Sequence, residues 1–158
     1  MKDERAANSL PIYSESQRFS PWLAIIIPLV AVSSTFFYRG HMFETQLLIS
    51  AIAISFLYLC NLQTELREDA FYYRFFPFQL KRHSILRSEI AKIYVRKYSP
   101  LKEFGGWGIR WGRNGSNAFN TKGNMGVQIE LTSGKSILFG TQKPEEWEKV
   151  IKEMFADS

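Results

Sequence analysis

The chain is poor in the groups that most site chemistry needs. It has one cysteine and two histidines in 158 residues. A single thiol, Cys60, excludes a disulfide framework within the chain, and such usage fits a reducing compartment. His41, His83 and Cys60 cannot be written as a metal-binding spacing. Nucleotide motifs fail at defined positions. Gly134-Lys135-Ser136 ends like a phosphate loop, but Ile129 stands where that loop needs its first glycine. Gly106-Trp107-Gly108 opens like a dinucleotide fingerprint, and Trp111 occupies its third glycine position. Ser84, His83 and Asp69 supply the residue types of a nucleophilic triad, but adjacency in sequence is not triad geometry. On these grounds no enzyme, catalytic residue, cofactor or metal is expected.

Charge is missing from two stretches of equal length. Residues 19–38 and 45–64 are each 20 residues long and carry no Asp, Glu, Lys or Arg. As helices, each would be about 30 Å long, the thickness of a bilayer's hydrocarbon core. Aromatic side chains gather at their ends (Phe19, Trp22, Phe36, Phe37, Tyr38, Phe43 and Tyr58), the placement favoured at headgroup level. Neither run has a polar stripe. The six-residue link Arg39-Gly40-His41-Met42-Phe43-Glu44 requires an antiparallel pair. The sequence therefore predicts a transmembrane hairpin over 19–64, with helices near 19–38 and 45–64. Lys2, Arg5 and Arg18 precede it and Arg67, Arg74, Lys81 and Arg82 follow it, against Arg39 alone in the link. By the positive-inside rule this predicts a multi-pass protein of the cell (inner) membrane with cytoplasmic N- and C-termini. Residues 1–18 read as a flexible cytoplasmic segment. A cleavable signal peptide is disfavoured by the acids Asp3, Glu4 and Glu15 and by the second run directly behind the first.

The remaining 65–158 hold 16 of the 20 Lys/Arg and 11 of the 15 Asp/Glu, so the net charge of +5 resides there. Short alternating runs separated by turn signals predict strands at 64–67, 71–76, 83–87, 90–97, 107–111, 117–121, 125–131 and 135–140. Pro77 should end the second, and Asn114-Gly115 marks a hairpin. Alternation in 90–97 is imperfect. Ile90, Tyr94 and Arg96 read to one side, and Ile93 and Val95 to the other. From Pro144, with Glu145 and Glu146 in the first turn, Trp147, Val150, Ile151, Met154 and Phe155 form the stripe of an amphipathic helix. The expected fold is α+β: a two-helix transmembrane hairpin, then a pleckstrin-homology-like (PH-like) barrel of about seven antiparallel strands capped by the C-terminal helix.

A resemblance rests on the stretch Tyr98-Ser99-Pro100-Leu101-Lys102-Glu103-Phe104-Gly105-Gly106-Trp107-Gly108-Ile109-Arg110. Arg74-Phe75-Phe76-Pro77-Phe78 and Gly140-Thr141-Gln142-Lys143-Pro144 support it. Over most of 62–150 the chain resembles an uncharacterised bacterial membrane protein family with two N-terminal transmembrane helices and a C-terminal PH-like domain. The resemblance implies a fold and a location, and no activity.

Two readings stand for Gly105-Gly106-Trp107-Gly108. It is a glycine-kinked barrel corner with Trp107 as a core plug, or part of a partner-binding loop made of Lys102, Phe104, Gly105, Gly106, Trp107, Gly108 and Arg110. The functional expectation is a membrane-anchored interaction or scaffold module that binds a membrane or membrane-proximal protein. The alternative is anionic headgroup binding by a basic surface including Lys81, Arg82 and Arg87. The lipid bilayer is a partner in both, and nucleic acid is not expected.

Overall fold

The computed structural model of the chain describes residues 10–35, 43–112 and 116–155. The two apolar runs do form helices that pack on each other: α1 (Leu23–Thr35), which continues through Pro28, and α2 (Phe43–Leu59). They have 13 and 17 residues, about 20 and 26 Å at 1.5 Å per residue. Among the described residues, no helix is long and apolar enough to cross a membrane. That corrects the expected transmembrane hairpin, and the multi-pass inner-membrane location and topology drawn from it lose their basis. The reason lies at the ends of the runs. Residues 61–64 are uncharged because they enter a strand, β2 (Asn61–Leu66), where Leu62 and Thr64 alternate into the core. Phe19 precedes α1 and packs against that same core. The proposed link at 39–44 lies mostly outside the described residues.

The segment before α1 is also ordered. Residues 13–18 form β1 (Tyr13–Arg18), paired antiparallel with β2 from Tyr13↔Leu66 to Arg18↔Asn61. The strands β3 (Ala70–Phe76) and β4 (His83–Leu86) complete a four-stranded sheet in the order β1-β2-β3-β4. A second sheet holds β5 (Ile90–Lys97), β6 (Gly108–Trp111), β7 (Ser116–Asn120), β8 (Met125–Leu131) and β9 (Ser136–Thr141) in the order β5-β8-β9-β7-β6. This is not the single PH-like barrel of about seven antiparallel strands. The described residues form two sheets, and β7 runs parallel to β9, with Ser116 opposite Ser136 and Phe119 opposite Phe139. The Asn114-Gly115 turn lies outside the described residues, but β6 and β7 pair antiparallel on either side of it.

Apolar side chains of both sheets meet in one core. Leu62, Leu66, Phe71 and Phe75 come from the first sheet, and Ile93, Phe119, Val127, Ile129 and Phe139 from the second. The imperfect alternation in β5 has a local cause. The register passes from Ile90↔Leu131 to Lys92↔Glu130, a bulge at Ala91 that puts Ile90, Ile93 and Val95 all against the core. The C-terminal helix α4 (Pro144–Phe155) lies against β5 and β8 with the expected stripe inward, Trp147 and Ile151 buried. Its last turn is held by Arg87, whose Nη2 donates to the Met154 carbonyl at 2.6 Å while its guanidinium lies 4.4 Å from the Phe155 ring centroid. A cation at a helix C-terminus and a cation–π contact are each worth about 0.5–1 kcal/mol. Arg87→Ala should therefore lower the unfolding free energy by about 1–2 kcal/mol in urea titration. A change under about 0.5 kcal/mol, the range of ordinary surface substitutions, would contradict that role.

Candidate functional site

The helix pair lacks the polar outer face of a water-facing hairpin. In water, two packed helices turn apolar residues toward each other and polar ones outward. Here α2 buries Ser50 and half-buries Gln46 and Ala53 toward α1, joined near the base by Ile54 and Leu57. Its exposed side carries Leu47, Leu48, Ile49, Ile52, Phe56 and Leu59, with Leu48 62% and Ile52 61% exposed. By helical spacing these exposed positions cover more than half of the circumference. On α1, Ile25, Ile26, Leu29 and Val30 are exposed in the same way. Half-buried Leu23, Ile27, Ile54 and Leu57 are apolar as well, and Thr45, Ala51 and Ser55 share the exposed side, so the helices are apolar nearly all round, a composition suited to surroundings other than water.

The base of this hairpin meets the β body through a run of aromatic ring contacts. Phe19 lies 6.1 Å from Phe75, Phe75 lies 5.7 Å from Phe78, and Phe78 meets Phe56 of α2 edge to face at 5.6 Å. Around it stand further exposed apolar side chains, Tyr58 and Trp111, the latter 79% exposed. Next to these rings run two cavities, one of about 100 Å³ bordered by Arg18 and one of about 370 Å³ bordered by Arg110.

The proposed recognition loop lies at this junction. The residues after β5 form a short helix, α3 (Pro100–Phe104). Gly105, Gly106 and Gly108 have φ of +72°, +132° and +111°, conformations that side chains with a Cβ rarely adopt, so the glycine corner is a backbone requirement. Lys102 is exposed on α3, whereas Phe104 packs on Tyr98 with ring centroids 6.1 Å apart. The buried Asn120 accepts the Gly108 N–H at 2.8 Å and holds the start of β6. Trp107 is not a core plug. It is 41% exposed, its Nε1–H donates to the Gly123 carbonyl at 3.2 Å, and its ring borders the larger cavity with Ile109, Arg110 and Trp111. The structure thus separates Lys102 and Phe104 from Trp107 and Arg110, and places the latter pair beside the hairpin base.

Of the three basic residues read as lipid-facing, Arg87 caps α4 and Arg82 pairs with Glu65 at 3.0 Å, while Lys81 is exposed. His83 stacks on Tyr73 at 5.5 Å, and Asp69 accepts from Tyr72 at 2.7 Å, so no triad geometry joins them to Ser84. Among the described residues, no group of three or more His, Cys, Asp or Glu could hold a metal ion.

Glu103 ties α3 to the second sheet through a 2.8 Å ion pair with Arg96, and the hydrogen bond from Arg96 holds its carboxyl below the usual glutamate range. A depressed folded-state pKa contributes stability above the unfolded value, lost as pH falls through the folded one. Glu103→Gln should cost under about 1 kcal/mol at neutral pH, because the pair is partly exposed. In urea titrations the difference from wild type should shrink as pH falls through the depressed pKa of Glu103, and one that persists unchanged in acid would contradict the pairing.

Sequence reasoning did not assemble the junction. Phe19, Phe56, Phe78 and Trp111 come from separate elements, and of the four only Phe19 belongs to the aromatic clustering at the ends of the apolar runs. No family model matches the chain, no curated protein matches it and no solved structure matches it.

Proposed function

We propose that the chain is a lipid-surface interaction module, in which the outer faces of α1 and α2 contact acyl chains and the β body is presented at the polar boundary. The observation that carries this is the broad apolar outer surface of the hairpin, with Leu48, Ile52 and Leu29 exposed. An apolar surface of this extent in water is a liability, and lipid removes it. The reading does not require either helix to cross a membrane. Exposed Trp111, Trp107 and Tyr58 around the hairpin base, with Arg18 and Arg110 beside them, suit the boundary where amphipathic rings and cations favour headgroups. The alternative of headgroup attraction by a basic barrel face is weakened, since Arg82 and Arg87 are engaged within the fold.

The test is flotation of full-length protein with vesicles of neutral phosphatidylcholine. The expected result is co-flotation without anionic lipid, because apolar contact and not charge provides the attraction. Protein left at the bottom of the gradient would overturn the reading. Retention of a specific protein after crosslinking by such non-floating chains would return it to a protein-binding module.

A further inference from the structure

The larger cavity at the hairpin base has a defined chemistry. Its volume of about 370 Å³ falls within the roughly 300–1,000 Å³ in which proteins hold small ligands. Its aromatic walls come from Phe19 before α1, Phe56 on α2, Phe75 and Phe78 around the end of β3, and Trp107 and Trp111 at β6. Among the described residues, Arg110 is the only charged side chain bordering it. The Arg110 Nε–H donates to the Trp107 carbonyl at 3.0 Å, and its guanidinium passes close to Gly106, where a Cβ would come within 3.3 Å of Nη2. The absence of a side chain at Gly106 thus leaves room for the guanidinium at the cleft's edge. Arg110 is exposed and has no ion pair among the described residues.

A polar ligand would gain little from six aromatic walls, and a plain hydrocarbon would gain nothing from Arg110. One molecule uses both: an amphiphile with a long chain and an anionic head. We infer that the cleft holds one acyl chain of a lipid from the surface that the hairpin contacts, with Arg110 binding that lipid's anionic headgroup through charge-assisted hydrogen bonds. The inference rests on the lipid-surface reading and deepens it, from general acyl contact to one bound lipid of stated charge.

The test uses full-length protein in neutral maltoside micelles, titrated with lysophosphatidylglycerol or with lysophosphatidylcholine of the same chain length and followed by tryptophan fluorescence. The anionic lipid should saturate at one per chain and bind about tenfold more tightly than the zwitterionic one, a difference of about 1.4 kcal/mol. Arg110→Gln should abolish that preference while retaining chain binding. Phe78→Asp, which places a charge in the wall, should remove both. Equal affinity for the two lipids in wild type, or a preference that survives Arg110→Gln, would overturn the inference. Because Phe78→Asp could perturb folding, Arg110→Gln at an exposed position keeps the test decisive, with an unchanged melting temperature as its control. Flotation with phosphatidylcholine vesicles separates the two readings. Flotation without a saturable, charge-selective site removes the cleft alone, whereas a saturable site without flotation removes the hairpin's surface role.

Discussion

Glu15→Ala should lower the unfolding free energy by about 3 kcal/mol, although Glu15 lies in a segment of polar residues that reads as a tail. Its carboxylate is buried, 7% exposed, and accepts three hydrogen bonds from another part of the fold. Thr141 Oγ1 donates at 2.7 Å, the Gln142 backbone N–H at 2.8 Å and Trp147 Nε1 at 2.8 Å. These bonds join β1 to the end of β9 and to the first turn of α4. Gln17, two residues on, donates from Nε2 to the Gly140 carbonyl on the same face. Alanine leaves three donors without their acceptor, and bonds to a charged group are worth about 1.5–3 kcal/mol each before relaxation. The melting temperature in neutral detergent should fall by about 10 °C. Glu15→Gln should fall between, because its amide nitrogen cannot accept and one donor is left unmet. A loss under about 1 kcal/mol for alanine would mean that β1 is dispensable and that this junction is not a fixed part of the fold.

The second large effect concerns the hairpin. Leu48→Lys combined with Ile52→Lys should reduce vesicle association at least about a hundredfold, since each lysine placed among acyl chains costs about 2.5 kcal/mol or more. Both positions are exposed and face away from the seam, so the fold itself should tolerate the change. Leu48→Ala with Ile52→Ala should weaken association only modestly, and Lys149→Ala, on the solvent side of α4, should leave it unchanged. Were the outer face bathed in water, the lysines would leave vesicle behaviour as it was and improve solubility.

Much of the β body was legible because its elements follow local rules. The strands at 90–97 and 125–131 have the bounds read from alternation and turn signals, and α4 follows its 3.6-residue stripe from Pro144. What stayed hidden was non-local or polar. β1 reads as a tail because the residues it turns inward, Glu15 and Gln17, are themselves polar, so no apolar alternation marks the strand. The parallel pairing of β7 with β9 depends on which edge of β9 is free once β8 has paired with it, and no residue spacing states that. The run at 45–64 overstates its helix because an uncharged residue serves a strand as well as a helix; Leu62 and Thr64 belong to β2. For the site, glycines 105, 106 and 108 were legible as a corner, but the direction of Trp107 was not. It is set by the Gly123 carbonyl and by the hairpin base, both distant in sequence.

The most direct test of the central claim measures what surrounds the outer face of α2. Nitroxide labels would be attached to single cysteines at Leu48, Ile52 and Lys149 in a Cys60→Ala background, with the full chain bound to phosphatidylcholine vesicles. Collision rates with oxygen and with a water-soluble nickel chelate would then be compared. Labels at Leu48 and Ile52 should collide readily with oxygen and be shielded from nickel, while the label at Lys149 should be open to nickel. Equal nickel accessibility at all three positions would contradict the claim.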